Sequence, residues 1–385
     1  MPPVVDWFWR FQKFSVGFGI CYLSLVVVLC IPFFQRHMLY LNAVRVPFGA
    51  DFDSPESYGL APNKTLNFLI QTPDKESIGA WFLLSEEYYQ SLPSIPTNVS
   101  EHVAPALKAR PTILYLHGNA ATRAASMRVA QYQALTARLG ANVLAIDYRG
   151  YAESTGVPSE SGLVTDARAA FDWLVDQGVR SDDILVMGHS LGTGVGSQLG
   201  AQLGAEGIKP RGVVLMSPFV SMGELLQNYH LFGFIPLIKP LYAIPGAAQI
   251  VTWALVHKFD SLGAVPNITA DVLIAHAEND WEIPDSHSDI LFQAFMEPYL
   301  PDVSTPELGK MLSPSEWEEY SDTLQARLAK REALITSTPI PRFGRVDEFK
   351  QDGRTVLLVK SHVGSHNLVG IQEGLQDIIK KKFRF

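Results

Sequence analysis

Residues 184–194 read Ile-Leu-Val-Met-Gly-His-Ser-Leu-Gly-Thr-Gly, a short apolar run that ends in Gly188-His-Ser190-Leu-Gly192. Apolar runs of this length, rich in Val, Ile and Leu, predict a strand covered on both faces. The stretch from Leu191 to Ala205 predicts a helix. A serine placed where a strand turns directly into a helix takes a strained backbone conformation, which holds its hydroxyl out above the sheet edge. Gly188 and Gly192 leave room for the neighbouring strand and helix to pass close. The helix N-terminus adds unpaired N–H groups and the positive end of a dipole. Ser190 is therefore the expected nucleophile, on a fold in which strands alternate with helices.

The chain on either side keeps that alternation. Strands are expected at Leu66–Gln71, Gly79–Leu84, Thr112–Leu116, Asn142–Ile146, Asp183–Met187, Gly212–Met216, Asp271–Ala275 and Arg354–Val359. Helices are expected at Arg123–Leu139, Glu160–Gln177, Leu191–Ala205, Asp285–Met296 and Gln372–Lys382. Repeated βα units predict a doubly wound, mostly parallel sheet of about eight strands. Its first two strands read as an antiparallel hairpin across Pro73-Asp-Lys75. Three segments interrupt the pattern. Residues 86–110 read as a surface loop carrying Asn98. Residues 218–262 form an apolar insertion that reads as a cap, with Phe232, Phe234, Leu237, Leu241, Val251, Trp253 and Leu255; Pro236, Pro240 and Pro245 break any long helix there. Residues 298–353 form a second insertion, with a charged helical stretch near Pro314–Ile335. No internal repeat is visible.

At the N-terminus, Phe14 to Phe34 pass without one charge, between Lys13 and Arg36. At about 1.5 Å per residue the run spans the ~30 Å hydrocarbon core of a bilayer. No small-x-small cleavage site closes it, and Trp7, Phe8, Trp9 and Phe11 precede it as an interfacial belt would. The expected division is an N-terminal flank (1–13), a transmembrane anchor (14–34), a juxtamembrane connection (35–65) and a catalytic body (66–385). Arg10 and Lys13 on one side and Arg36 and Arg45 on the other leave the positive-inside rule nearly neutral. The sequons at Asn63, Asn98 and Asn267 favour an N-in orientation, with the body glycosylated in a lumen or outside. Both cysteines of the 385 residues, Cys21 and Cys30, lie in the anchor, so the body holds no disulfide, no Cys-ligated zinc and no cysteine nucleophile. A net charge of −8 excludes the basic footprint of a nucleic-acid binder. No metal-binding or nucleotide-binding motif is present, so no cofactor is expected.

A serine nucleophile requires a base, an orienting acid and an oxyanion site. The acid is expected after a late strand, at Asp280 in Val272-Leu-Ile-Ala-His-Ala-Glu-Asn-Asp280, with Glu224 as a more remote alternative. The base is expected past the last strand. His366 lies beyond Gly364, on a loop able to fold back over Ser190, whereas His362 is still close to the strand. The chain order Ser190…Asp280…His366 is the one such a fold uses. The turn His117-Gly-Asn119-Ala120 is placed to aim a backbone N–H at the oxyanion. Asn119 is the expected donor, Ala120 its rival, and Leu191 N–H the second donor. His117 is expected to fix that turn, and Asp147 to be structural, with Arg149 as its local partner.

His117-Gly-Asn-Ala120, Asp147-Tyr-Arg-Gly-Tyr151, Gly188-His-Ser-Leu-Gly-Thr-Gly194, Ser217-Pro-Phe219, His276-Ala-Glu-Asn-Asp280 and His366-Asn367 resemble the α/β-hydrolase-domain lipases anchored in the endoplasmic reticulum membrane. The resemblance covers roughly residues 66–292 and 354–382 with the anchor. It implies an α/β-hydrolase fold and a serine esterase acting on monoacylglycerol or lysophospholipids such as lysophosphatidylserine. It also places that family's triad on Ser190, Asp280 and His366. Ala152 departs from the pattern, where a third glycine is usual, and the 298–353 insertion has no counterpart. The same three residues would serve an acyl-protein thioesterase if the body faced the cytosol. They would also serve a serine peptidase, although no large peptide-binding domain is present. A non-catalytic membrane scaffold would not need them.

Overall fold

The computed structural model describes residues 3–228, 230–231, 235–236, 239–303 and 313–385. Phe232, Phe234 and Leu237 of the expected cap lie outside the described residues.

The N-terminal apolar run forms α1, Pro3–Leu29. Within it Trp9–Leu29 is long and apolar enough to cross a membrane, and little of it is buried. The expected anchor of 14–34 is not one helix. Ile31 is extended at φ −79°, ψ 125°, and Pro32 opens a separate helix, α2, over Pro32–Tyr40. The residue before a proline avoids the helical region, and the ring nitrogen has no proton to give to the preceding turn. The apolar register of the span therefore shifts toward the N-terminus, and Phe33 and Phe34 belong to α2.

The body is built on ten strands. They are β1 Thr65–Gln71, β2 Ser77–Leu83, β3 Thr112–Leu116, β4 Asn142–Ile146, β5 Ile184–His189, β6 Gly212–Met216, β7 Val272–Ala277, β8 Ile335–Ile340, β9 Gly344–Gln351 and β10 Arg354–Ser361. Their order across the sheet is β1-β2-β4-β3-β5-β6-β7-β10-β9-β8. The six central strands, β4 to β10 in that order, run parallel, and antiparallel pairs finish both edges. Alternate residues of each central strand feed two apolar layers. Leu114, Leu116 and Val186 face one; Ile113, Tyr115 and Met187 face the other. Helices α3 (Ser126–Ala134), α4 (Glu160–Asp176), α5 (Leu191–Ala205), α8 (Ser286–Ala294) and α10 (Glu373–Phe383) cover the two faces. This is the α/β-hydrolase fold with a mostly parallel sheet.

Two strands of the sheet come from the second insertion, beyond the expected eight. A charged helix, α9 (Pro314–Leu334), is opened by a capping box between Ser313 and Glu316 and buries no residue. It leads into β8 and β9, which extend the sheet past β10. Only Val346 and Phe349 in β9 are apolar among eight residues, so its alternation is muted. Pro339 in β8 is tolerated because β8 is an edge. In the cap, two short helices, α6 (Met222–Asn228) and α7 (Ala247–Trp253), contribute Leu226 and Val251 to the lining of a cavity that Ser190, just past β5, also lines.

Candidate active site

The register brings the C-terminal ends of β3, β5, β6 and β7 to one rim: Leu116 pairs with Gly188, His189 with Met216, and Met216 with Ala275. Ser190 follows β5 and caps α5 with φ 53° and ψ −120°, a conformation that costs a non-glycine residue energy. The turn persists because its neighbours hold it. Ser190 N–H donates to the Met216 carbonyl at 3.0 Å, and Thr193 N–H donates to the Ser190 carbonyl at 2.8 Å. A Cβ on Gly192 would lie 2.0 Å from the Leu116 carbonyl oxygen, and one on Gly188 would lie 2.3 Å from that of Gly192. Both glycines are thus required by close backbone approach.

Asp280 leaves the end of β7 and is held by four donors. Glu282 N–H and Ile283 N–H donate to Oδ1 at 2.9 and 3.0 Å, while His276 Nε2 and His366 Nδ1 lie 3.2 and 2.8 Å from Oδ2. Burial raises the Asp280 carboxyl, but these hydrogen bonds and the His366 charge outweigh it and hold the group far below the usual carboxylate range. His276 Nε2 also faces the Ile283 carbonyl at 3.0 Å. With two acceptors before it, Nε2 carries the proton, and Nδ1 accepts from Ser288 Oγ at 2.7 Å. His366 Nδ1 likewise carries its proton toward Asp280, which leaves Nε2 as the basic nitrogen. No hydrogen bond joins Ser190 Oγ to His366 among the described residues. His366 lies not on an open loop but in a single helical turn, Ser365–Leu368, and His189 ties that turn to the elbow: its Nε2 donates to the His366 carbonyl at 2.8 Å.

The other candidates separate cleanly. His362 is exposed and bonded to Glu278 at 2.9 Å. Glu224 lies in α6. Ala120 N–H donates to the Tyr40 carbonyl at 2.9 Å, so it is committed elsewhere. The Asn119 and Leu191 N–H groups have no backbone acceptor among the described residues. Both residues line, with Ser190, a mostly apolar cavity of about 160 Å³. Its remaining walls come from α1, α2 and the cap, including Leu29, Met38, Leu226 and Val251.

Residues 113–373 match the Alpha/beta hydrolase family. The chain belongs to the α/β-hydrolase family.

It is an enzyme of the lipase and esterase class within that family. Lysophosphatidylserine lipase ABHD12 of Xenopus tropicalis is 34% identical over 279 residues, 71% of this chain and 68% of that protein. The rat protein of the same name is 33% identical over 286 residues, 72% and 68% of the two chains. Human Protein ABHD12B is 30% identical over 272 residues, 68% of this chain and 70% of that one. Among solved structures, an alpha-beta hydrolase from Vibrio vulnificus superposes with a TM-score of 0.56 at 16% identity, covering 91% of this chain and 94% of that one; it shares the fold.

Around the hydrolase site lie charged groups that spacing alone did not pair. Asp147 does not partner Arg149. Its partner is Arg123, whose backbone N–H and Nη1 donate to the two carboxylate oxygens at 2.9 and 2.6 Å. Arg149 instead spans Asp166 and Asp74, with bonds of 2.6 to 3.0 Å. Nearness along the chain misled here, because the two side chains leave the end of β4 in different directions. His117 Nδ1 lies 2.6 Å from the Gly118 carbonyl and Nε2 lies 3.2 Å from Asp147 Oδ1, which fixes the turn. Arg128 reaches the same turn with one nitrogen, Nη2, which donates to the carbonyls of Gly118, Asn119 and Ala120 at 3.1, 3.1 and 2.8 Å. His189, His276 and Arg128 were not singled out from sequence. A histidine inside a motif and an arginine in a helix carry no spacing signal of their own. Asn63, Asn98 and Asn267 are all exposed. Among the described residues no group of three or more His, Cys, Asp or Glu is placed to hold a metal ion.

Proposed function

We propose that the protein is a membrane-anchored serine hydrolase that cleaves the acyl ester of a monoacylglycerol or of a lysophospholipid such as lysophosphatidylserine. One observation carries this reading: Ser190, Asn119 and Leu191 open into an apolar cavity that runs to the C-terminal end of the candidate membrane span. Relatives named lysophosphatidylserine lipase support the choice of headgroup class.

In this reading His366 Nε2 takes the proton of Ser190 Oγ as the oxygen attacks the ester carbonyl. Asp280 holds the imidazole by Nδ1 and stabilises its charged form. The Asn119 and Leu191 N–H groups receive the oxyanion. His366 then gives its proton to the departing alcohol. A water enters, His366 takes its proton in turn, and the acyl-enzyme is hydrolysed. The body faces the lumen of the endoplasmic reticulum, where the sequons are accessible to glycosylation.

Ser190→Ala removes the nucleophile. It is expected to abolish labelling by a fluorophosphonate and to lower turnover of lysophosphatidylserine and monoacylglycerol by about 10³-fold or more. Full residual turnover would overturn the mechanism. Wild-type turnover of thioesters or peptides, with none of either lipid, would overturn the substrate.

A further inference from the structure

Two sets of contacts join the membrane end of the chain to the catalytic rim. The first is backbone to backbone. The N–H groups of Ala120, Ala121 and Thr122 donate to the carbonyls of Tyr40, Val44 and Val46 at 2.9, 2.7 and 3.0 Å. Asn119 Nδ2 adds a bond to the Leu39 carbonyl at 3.2 Å. The segment that leaves α2 thus lies along the turn that holds the candidate oxyanion donor. Arg128 grips the carbonyls of that turn from the other side. Ala120 and Ala121 are held at φ 55° and 53°, which an isolated turn would relax.

The second set encloses the cavity. Val26 and Leu29 at the end of α1, and Met38 and Leu39 of α2, form one wall, facing Leu226 and Val251 of the cap. Val26 is 7% exposed, unlike most of α1, and it packs with Leu241 of the cap. Gln35 fastens the two walls. It is buried, its Nε2 donates to the Ala254 carbonyl at 2.9 Å, and its Oε1 accepts from Val256 N–H at 3.1 Å.

We propose that residues 26–46 are part of the active site: Val26, Leu29 and Met38 form the acyl-binding wall that measures chain length, and Gln35 and the segment after α2 position the cap and the oxyanion turn. A long acyl chain slides from the bilayer along α1 into the cavity without crossing water, and its carbonyl stops at Ser190. This rests on the lipid-ester reading above. An anchor and connection that merely tethered the enzyme would need neither the buried Gln35 of α2 nor the cavity wall formed by Val26 and Leu29 of α1.

The test uses the full-length protein in phosphatidylcholine vesicles and two alkyl fluorophosphonates, one short-chain and one long-chain. The readout is the ratio of long-chain to short-chain labelling rates. Leu29→Trp and, independently, Val26→Trp fill the cavity from this wall, and each is expected to lower that ratio about tenfold, the effect of losing room for one or two methylenes. Val16→Trp, on the exposed face of α1, is expected to keep the wild-type ratio. An unchanged ratio in both cavity variants would overturn the proposal, as would an equal fall with Val16→Trp. Failure of the wild type to label with either probe would instead overturn the serine-hydrolase reading, which separates the two failures. Gln35→Leu removes the clasp and is expected to lower both rates; Gln35→Leu with both rates intact would refute the positioning role.

Discussion

His189 precedes Ser190, and its charge state matters to the whole rim. Burial, then the neighbouring His366 imidazole, push it down to about 3, so at neutral pH it is uncharged and its Nε2 proton is free to hold the His366 carbonyl. His287, buried in the first turn of α8, is pushed down to about 4 by burial and by His276. In the unfolded chain both would take up a proton near pH 6.5. Below that pH the unfolded state binds more protons than the folded one, so stability is full above about pH 6.5 and falls as the pH drops toward 4 and then 3. Each group contributes a slope on the order of 1.4 kcal/mol per pH unit within its window. Urea unfolding followed at several pH values is expected to show that decline, and His189→Gln, which keeps a donor but does not titrate, is expected to make it shallower. Equal slopes in the two proteins would refute the role given to His189. Nothing in the sequence singled out this residue, because a histidine in the variable position of G-x-S-x-G is read as filler. The placement of Ser190, Asp280 and His366 was legible for the opposite reason: each follows a recognisable strand, β5, β7 and β10, and the register brings the ends of those strands to one rim.

At the scale of elements, the site depends on how the end of β4 is tied to the segment between β3 and α3. Arg123 makes that tie from full burial. It bonds Asp147, Asn67 and Glu153, and its guanidinium lies 4.1 Å from the Phe52 ring centroid. Burial raises the Asp147 carboxyl, but Arg123 and His117 outweigh it and hold it below its ordinary value. Removing one member of such a pair leaves an unmatched buried charge. Arg123→Met is therefore expected to cost about 3–5 kcal/mol in chemical denaturation, and Arg123→Met with Asp147→Asn to recover part of that loss. A double variant no more stable than the single one would argue against pairing as the cause. The six parallel strands were readable because burial on both faces leaves continuous apolar runs, while β1, a half-exposed edge, was readable from its pairing across the turn with β2. The strands β8 and β9 were not, since an edge hairpin buries little and carries Arg345, Asp347, Glu348 and Lys350. The break at Ile31 is marked in the sequence by Pro32 alone, inside a run whose lack of charge continues on both sides of it. Ala152 is a departure that the backbone makes intelligible: it holds φ 47°, a conformation in which a glycine would sit without strain.

At the scale of the molecule, the surface of the fold bears on the proposed lumenal placement of the body. The three sequon asparagines come from distant parts of the chain and lie on different elements. Asn63 precedes β1, Asn98 leads into the helix Ser100–Ala109, and Asn267 lies in a turn before β7. All three side chains are exposed, and none lines the cavity at Ser190. Asn98 Nδ2 donates to Glu101 at 2.9 Å, a surface bond whose loss to a glycan would cost little. Glycans at these positions would therefore leave the fold and the catalytic rim untouched. With the N-terminus in the cytosol and the body in the lumen, endoglycosidase treatment of protein from membranes is expected to increase its mobility, and Asn63→Gln, Asn98→Gln and Asn267→Gln each to remove one step of that shift. No shift in the wild type, together with cleavage within residues 91–98, the largely exposed stretch between the helices Glu86–Gln90 and Ser100–Ala109 that the structure shows where one loop over 86–110 was expected, by a protease added to intact microsomes, would place the body in the cytosol. The anchor, cap and cavity would then face the opposite leaflet, and a thioesterase acting on cytosolic acyl-proteins would become the better reading of the same three side chains.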